Sequence, residues 1–267
     1  MVRADTGVGR LMAAVSILIC SAAIVPGPVL GAELHARTVR AYEEYLVRAS
    51  RAFLSRESHD DPPGPPRGGV ISAGPAREDG IIGVPGGLVH NWTATSFIRG
   101  VGLPQVLAQS RAYQEYPRTH KAVMASQVLE HDNDRYRLLM RIKEGAAGIT
   151  GVLQIRSSVV YSYPTKDSAL VVATADEIRE VKNAGGHDER LLPAGNDSGY
   201  LWRANTFTRY VERADGVWIE METLGLSRRF PPLLGWLIEP IARRLGRRSV
   251  ETTLQEVQAA VEKRHAR

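Results

Sequence analysis

Along residues 33–56 the apolar side chains Leu34, Val39, Tyr42, Tyr45, Leu46, Ala49, Phe53 and Leu54 fall mostly three or four apart, with Arg and Glu between them. That period predicts an amphipathic helix, and a helix with one apolar stripe needs a surface to cover. Residues 57–87 are rich in Pro and Gly, which do not continue a helix and make a poor central strand. Two readings fit them, an irregular connector laid over the main domain and a disordered linker. From residue 90 the period shortens to two. Trp92, Ala94, Ser96 and Ile98 alternate with Asn91, Thr93, Thr95 and Phe97, which predicts a strand over 90–98. A short helix over 103–116, carrying Val106, Leu107, Ala108 and Tyr113, is stopped by Pro117.

Strand-like runs follow at 121–130, 136–143, 150–163, 169–181, 200–212 and 217–226. Asp132-Asn133-Asp134 and Ala214-Asp215-Gly216 supply turn chemistry, so neighbouring strands are joined as hairpins. The last element is a helix over about 249–263, with Ser249 as N-cap, Glu251 near the positive end of the dipole, and Val250, Leu254, Val257 and Val261 in one stripe. This order predicts an α+β fold: a curved antiparallel sheet of about six to seven strands wrapped around a long C-terminal helix. If the strands at 200–212 and 217–226 are joined by a two-residue turn or a four-residue loop, Arg203, Asn205 and Arg209 share a face with Trp218, Glu220 and Glu222. Arg209 then opposes Glu220 or Glu222. The other face carries Tyr200, Trp202, Ala204, Thr206, Thr208 and Tyr210 with Val217, Ile219, Met221 and Thr223, and this less charged face is the one that meets the terminal helix.

The first residues change the expected location. Arg3 and Arg10 precede an uncharged run over 11–25, then Pro26, Gly27 and Pro28 break it. A run of that length is short for a membrane span and has the layout of a secretory signal, with cleavage expected after Ala32. An uncleaved anchor running to Ala32 leaves the rest in the same compartment, so the chain is expected to be exported, periplasmic or extracellular. The single Cys, Cys20, lies inside this segment, so the mature chain gains no disulfide, thiol nucleophile or Cys metal ligand. The composition, 43% apolar and 24% charged over 267 residues, is that of an ordinary globular protein. A net charge of +5 is too small and scattered to imply nucleic acid.

Charge does concentrate at 228–248, where Arg228, Arg229, Arg243, Arg244, Arg247 and Arg248 face one acid, Glu239. Leu233, Leu234, Trp236, Leu237 and Ile238 lie between them. An Arg-flanked apolar stretch containing Trp suits docking on an anionic membrane through Trp236, Arg243, Arg244, Arg247 and Arg248. A helix packed into the body with its Arg residues solvated is the plainer reading. The seven His residues show no ligand spacing, so no metal site is expected, and no phosphate loop, nucleophile elbow or dinucleotide fingerprint appears. No cofactor is implied.

Three stretches carry a family likeness: Val84-Pro85-Gly86-Gly87-Leu88-Val89-His90-Asn91-Trp92, Gly199-Tyr200-Leu201-Trp202-Arg203-Ala204-Asn205 and Val217-Trp218-Ile219-Glu220-Met221-Glu222. Leu226-Ser227-Arg228 with Pro231, and Ser249-Val250-Glu251-Thr252-Thr253-Leu254, extend it. In these the chain resembles the START-like, helix-grip superfamily of polyketide cyclases and lipid-transfer domains, and within it a family of uncharacterised secreted bacterial proteins. Asn91 and Thr208 stand where relatives tend to carry a second His and a further aromatic. The resemblance implies a hydrophobic cavity between sheet and terminal helix, in a main domain over 88–267. The residues expected to line it for a lipid or other apolar small molecule are Tyr200, Trp202, Tyr210, Ile219, Met221, Leu254 and Val257, unless they simply fill the core. The expected role is an exported binding or carrier protein. An enzyme of cyclase or hydrolase type would use Arg209 and Glu220 as its polar pair, and their plainer reading is a solvated cross-strand ladder. A third reading is an interaction module with a filled core.

Overall fold

The computed structural model describes residues 32–56, 72–77, 79–146, 149–229 and 235–265. The uncharged N-terminal run and the whole of the 57–71 stretch therefore lie outside the described residues. Helix α1 (Ala36–Leu54) buries Thr38, Tyr42, Tyr45, Ala49 and Phe53, a stripe spaced by four, three, four and four. A two-residue strand β1 (Ala32–Glu33) precedes it and pairs with β10 (Asn196–Asp197).

The main sheet is antiparallel throughout. Its members in chain order are β2 (Ser72–Pro75), β3 (Ile81–Val84), β4 (Gly87–Arg99), β5 (Val123–Asp132), β6 (Arg135–Ala146), β7 (Ile149–Thr165), β8 (Ser168–Lys182), β9 (Arg190–Leu191), β11 (Arg203–Arg213) and β12 (Gly216–Arg228). The spatial order is β2-β4-β12-β11-β8-β7-β6-β5, with β3 beside β4 and β9 beside β8. Between β4 and β5 lie α2 (Leu103–Ser110), a 3-10 turn (Tyr113–Glu115) and α3 (Tyr116–Thr119). The chain closes with α4 (Gly235–His265). The fold is α+β, a sheet closed on one face by a long C-terminal helix.

Two expectations of detail are corrected. The connector is not wholly irregular: β2 and β3 pair with β4 and raise the strand number above the expected six or seven. Short Gly- and Pro-bearing strands fit at a sheet edge, where unpaired backbone groups face outward. The terminal helix begins at Gly235, not near Ser249. Ser249 is internal, and its carbonyl accepts the Thr253 hydroxyl at 2.9 Å. The preceding turns are held by packing, with Ala242 buried and Gly246 against the Trp92 indole, which overrides the capping preference of Ser249.

The sheet separates two cores. The inner face, with α2 and α4, holds Trp92, Ala94, Ile98, Tyr210, Ile219 and Met221 against Val250, Leu254, Val257 and Val261. The outer face, beneath α1, holds Val89, Phe207, Leu224 and Leu226 against Tyr42, Tyr45, Ala49 and Phe53. β11 and β12 are joined by a two-residue turn, with Arg209 directly opposite Glu220 and Tyr210 opposite Ile219. The alternation in the sequence therefore gives the correct faces for both strands.

Candidate functional site

Four strands present one residue pair each, spaced by two, to a common spot on the inner face: Leu138 and Met140 of β6, Val159 and Tyr161 of β7, Val171 and Ala173 of β8, and Thr206 and Thr208 of β11. Tyr210 extends the last row. Ser110, Tyr113 and Tyr116, from the end of α2 through the start of α3, form the roof. Between floor and roof is a cavity of about 30 Å³, room for a few water molecules, within some 360 Å³ of free space that runs out to solvent. No charged side chain lines it among the described residues.

Hydroxyl groups organise its polar side. The Tyr113 and Tyr161 hydroxyls lie 2.7 Å apart, and Tyr161 lies 2.9 Å from Ser110 Oγ. The Tyr210 hydroxyl donates to Ser110 Oγ at 3.4 Å, and the Tyr116 hydroxyl donates to the Ser110 carbonyl at 2.7 Å. Burial pushes Tyr113 and Tyr116 well above the ordinary phenol range. Burial raises Tyr161 and Tyr210 in the same direction. All four remain protonated at neutral pH, so the cavity is uncharged and its phenols act as donors. Thr206 Oγ1, on a residue 2% exposed, has no hydrogen-bond partner.

The placement of the expected ligand residues is mixed. Tyr210 lines the cavity. Ile219, Met221, Leu254 and Val257 are buried in the inner core, but none borders the open space, and no lining side chain comes from α4. Among the described residues this cavity is roofed by the α2–α3 segment, while α4 packs on β4 through Gly246 and its Val/Leu stripe. Trp202 sits in the outer core, its indole N–H donating to Asp197 Oδ1 at 3.1 Å. It precedes β11, so the two-residue period does not govern it. Tyr200 is half-buried at a bend after Gly199, also outside the strand.

Arg209 and Glu220 pair at 3.0 Å, as the register requires, yet on the face opposite the cavity. Arg209 Nη2 also donates to the Phe53 carbonyl at the end of α1, at 2.6 Å. Arg56 spans Glu220 at 2.5 Å and Glu222 at 2.7 Å, and Asn91 Nδ2 donates to Glu222 Oε1 at 3.1 Å. Burial raises the Glu222 carboxyl above its ordinary range, with Asn91 and Arg56 pulling it back. With Arg209 and Glu220 only 13% and 15% exposed, the group is neither a solvated ladder nor an acid–base pair in the cavity; it is the buried seam that holds α1 to the sheet.

On α4, Arg243 pairs with Asp79 at 2.6 Å, while Arg244, Arg247 and Arg248 are exposed. The side chain of Trp236 lies outside the described residues. Among the described residues no His, Cys, Asp and Glu group is placed to hold a metal ion, and no helix is long and apolar enough to cross a membrane.

The lining residues missed from the sequence are Ser110, Tyr113, Tyr116, Leu138, Met140, Val159, Tyr161, Val171 and Ala173. The alternation that separates the faces of β11 and β12 runs through 138/140, 159/161 and 171/173 as well, and would have placed those pairs on one face. The roof residues carry no such signal.

No protein-family model matches the sequence, and no curated protein matches it. Among solved structures, the chain is similar to a protein from Thermus thermophilus at TM-score 0.46 and 13% identity, covering 64% of this chain and 97% of that one. A STAR-related lipid transfer protein from Xanthomonas axonopodis matches at 0.43 and 14%, covering 69% and 99%. The ZhuI aromatase/cyclase of a Streptomyces species matches at 0.43 and 14%, covering 66% and 96%. What stands on the element order and register of this chain itself is the α+β arrangement, an antiparallel sheet covered on one face by a long C-terminal helix.

Proposed function

We propose that this is an exported binding or carrier protein that holds one small, largely apolar molecule between the inner face of the sheet and the Ser110–Tyr116 roof. The observation that carries this reading is the cavity itself: apolar walls from β6, β7 and β8, hydroxyls grouped on one side, and no charge. Sites of this make-up bind by excluding water from apolar surface and use a few polar groups to set orientation. Arg209 and Glu220 supply no acid or base to the cavity, which weighs for carriage over turnover. Export rests on the uncharged run at 11–25, and its measure is the N-terminus of the mature protein. The exposed Arg244, Arg247 and Arg248 favour an anionic membrane surface as the place of loading.

The test is the protein as purified, examined by native mass spectrometry and by thermal shift against small apolar compounds. Ala173→Leu fills the cavity from its floor. We expect a bound molecule or ligand-dependent stabilisation in the natural protein and its loss in Ala173→Leu, with the variant still folded. Absence of any bound mass and of any stabilisation across the panel overturns the reading.

A further inference from the structure

Tyr210, Ser110, Tyr161 and Tyr113 form an unbranched row of four hydroxyls joined by three hydrogen bonds. Each hydroxyl has one proton to give and each link uses one. One O–H of the row is therefore left with no acceptor in the protein. Since Tyr210 donates to Ser110, the spare proton falls on Ser110, Tyr161 or Tyr113 according to how the two inner links are oriented. Thr206 adds a second donor, buried, bordering the cavity and unpartnered. Thr208, 3% exposed and also bordering the cavity, brings a further hydroxyl, so the space offers at least two unpaired hydroxyl donors and no cation.

From this count we infer that the ligand is an uncharged apolar molecule presenting a carbonyl-type oxygen, of the ketone, ester or quinone kind, to the hydroxyl row and Thr206. The inference rests on the cavity being the binding site, as proposed above, and adds the chemistry of the occupant. A pure hydrocarbon would strip the two donors of water and leave them unpaired, which is the costly outcome for a buried polar group. An anion would be buried without a countercharge, which costs more. A neutral acceptor satisfies both donors and keeps the apolar walls dry. Two lone pairs on one carbonyl oxygen suffice for the spare O–H and for Thr206.

Three probes of nearly one shape separate these cases: acetophenone, α-methylstyrene, in which a methylene replaces the oxygen, and benzoate, which carries the charge. Binding is followed by ligand-observed NMR titration on the full chain, with the melting temperature of each free variant as the check on folding. We expect acetophenone to bind about tenfold or more tighter than α-methylstyrene and benzoate to bind weakest. Thr206→Val should shrink the ketone's advantage by tightening α-methylstyrene relative to acetophenone, whereas Tyr113→Phe, which leaves three hydroxyls, two links and still one spare O–H, should preserve it. Equal affinity for ketone and hydrocarbon, or tightest binding of benzoate, overturns the acceptor inference and leaves the apolar site standing. Failure of all three probes to bind overturns the site together with the inference.

Discussion

His90 and His120 make stability fall as the solution is acidified. His90 is 1% exposed, with Nε2 2.8 Å from Ser227 Oγ, and His120 is 3% exposed, with Nδ1 2.8 Å from Thr119 Oγ1. Burial alone lowers each imidazole from its ordinary 6.5 to about 4. Between those two values the unfolded chain takes up a proton that the folded chain refuses. The folded-state pKa is depressed, so the contribution to stability is whole above pH 6.5 and drains away as pH falls through the window towards 4. By pH 5 the loss is roughly 2 kcal/mol per imidazole, a large part of a typical domain's stability. Glu256 acts in the opposite sense, since burial holds its carboxyl up at about 7 and protonation relieves that penalty. It is partly open to solvent, and a discounted gain of about 1 kcal/mol does not offset two imidazoles.

Urea unfolding followed by Trp fluorescence at pH 8 and pH 5, at constant ionic strength, measures the difference. The natural protein should lose about 3 kcal/mol between the two. His120→Asn and His90→Asn should each remove about 2 kcal/mol of that loss, whatever their effect on stability at pH 8. Coincident midpoints at the two pH values, or variants that lose stability as steeply as the natural chain, would refute the reasoning.

Two substitutions probe the seams on either side of the sheet. Gly246→Ala should destabilise by about 1–3 kcal/mol in thermal or urea unfolding, although alanine is the better helix former, because the added methyl collides with the Trp92 indole. Arg209→Met should cost about 1–3 kcal/mol by the same assay, since it strips a partner from Glu220 and from the Phe53 carbonyl, while binding in the cavity on the opposite face stays unchanged.

What the sequence discloses about this protein is what depends on neighbours along the chain. Alternation separates Arg209 and Glu220 from Tyr210 and Ile219, and the two-residue turn preserves that parity. Trp202 escapes the rule because it lies one residue before β11, at a bend that turns its side chain to the outer core although its N–H still bonds the Leu226 carbonyl at 2.7 Å. Long-range choices are not written in a period. The α1 stripe announces that some surface is covered, but not that it is the charged face, where Arg56 and Arg209 reach the same carboxylate. In the same way the α4 stripe announces a covering helix without revealing that the open space lies beside it, beneath Ser110, Tyr113 and Tyr116.

A cavity of about 30 Å³ is smaller than any molecule that would make a useful cargo, so part of the wall must yield on loading. The floor strands are held by long ladders, unbroken from β6 to β7 and with register shifts at 156/157 and 162/165 from β7 to β8, and do not separate without breaking several backbone hydrogen bonds. The roof beyond α2 has little of that kind. Its ties to α4 are an exposed ion pair between Arg264 and Glu115 and a 3.5 Å contact from the Lys121 N–H to Glu256, and on the other side Arg111 bonds Asp134 at 2.6 Å. Exposed pairs of this kind contribute at most about 1 kcal/mol each. What keeps the roof down is therefore the burial of Tyr113 and Tyr116 together with the hydroxyl links of Ser110 and Tyr113 to Tyr161 and of Ser110 to Tyr210, and an apolar ligand beneath them can replace the apolar part of that contact. Amide hydrogen exchange should show residues 110–119 opening faster than the central amides of β6, β7 and β8, and slowing when acetophenone is present. Protection in the roof equal to that of the floor strands would mean that the entrance lies elsewhere.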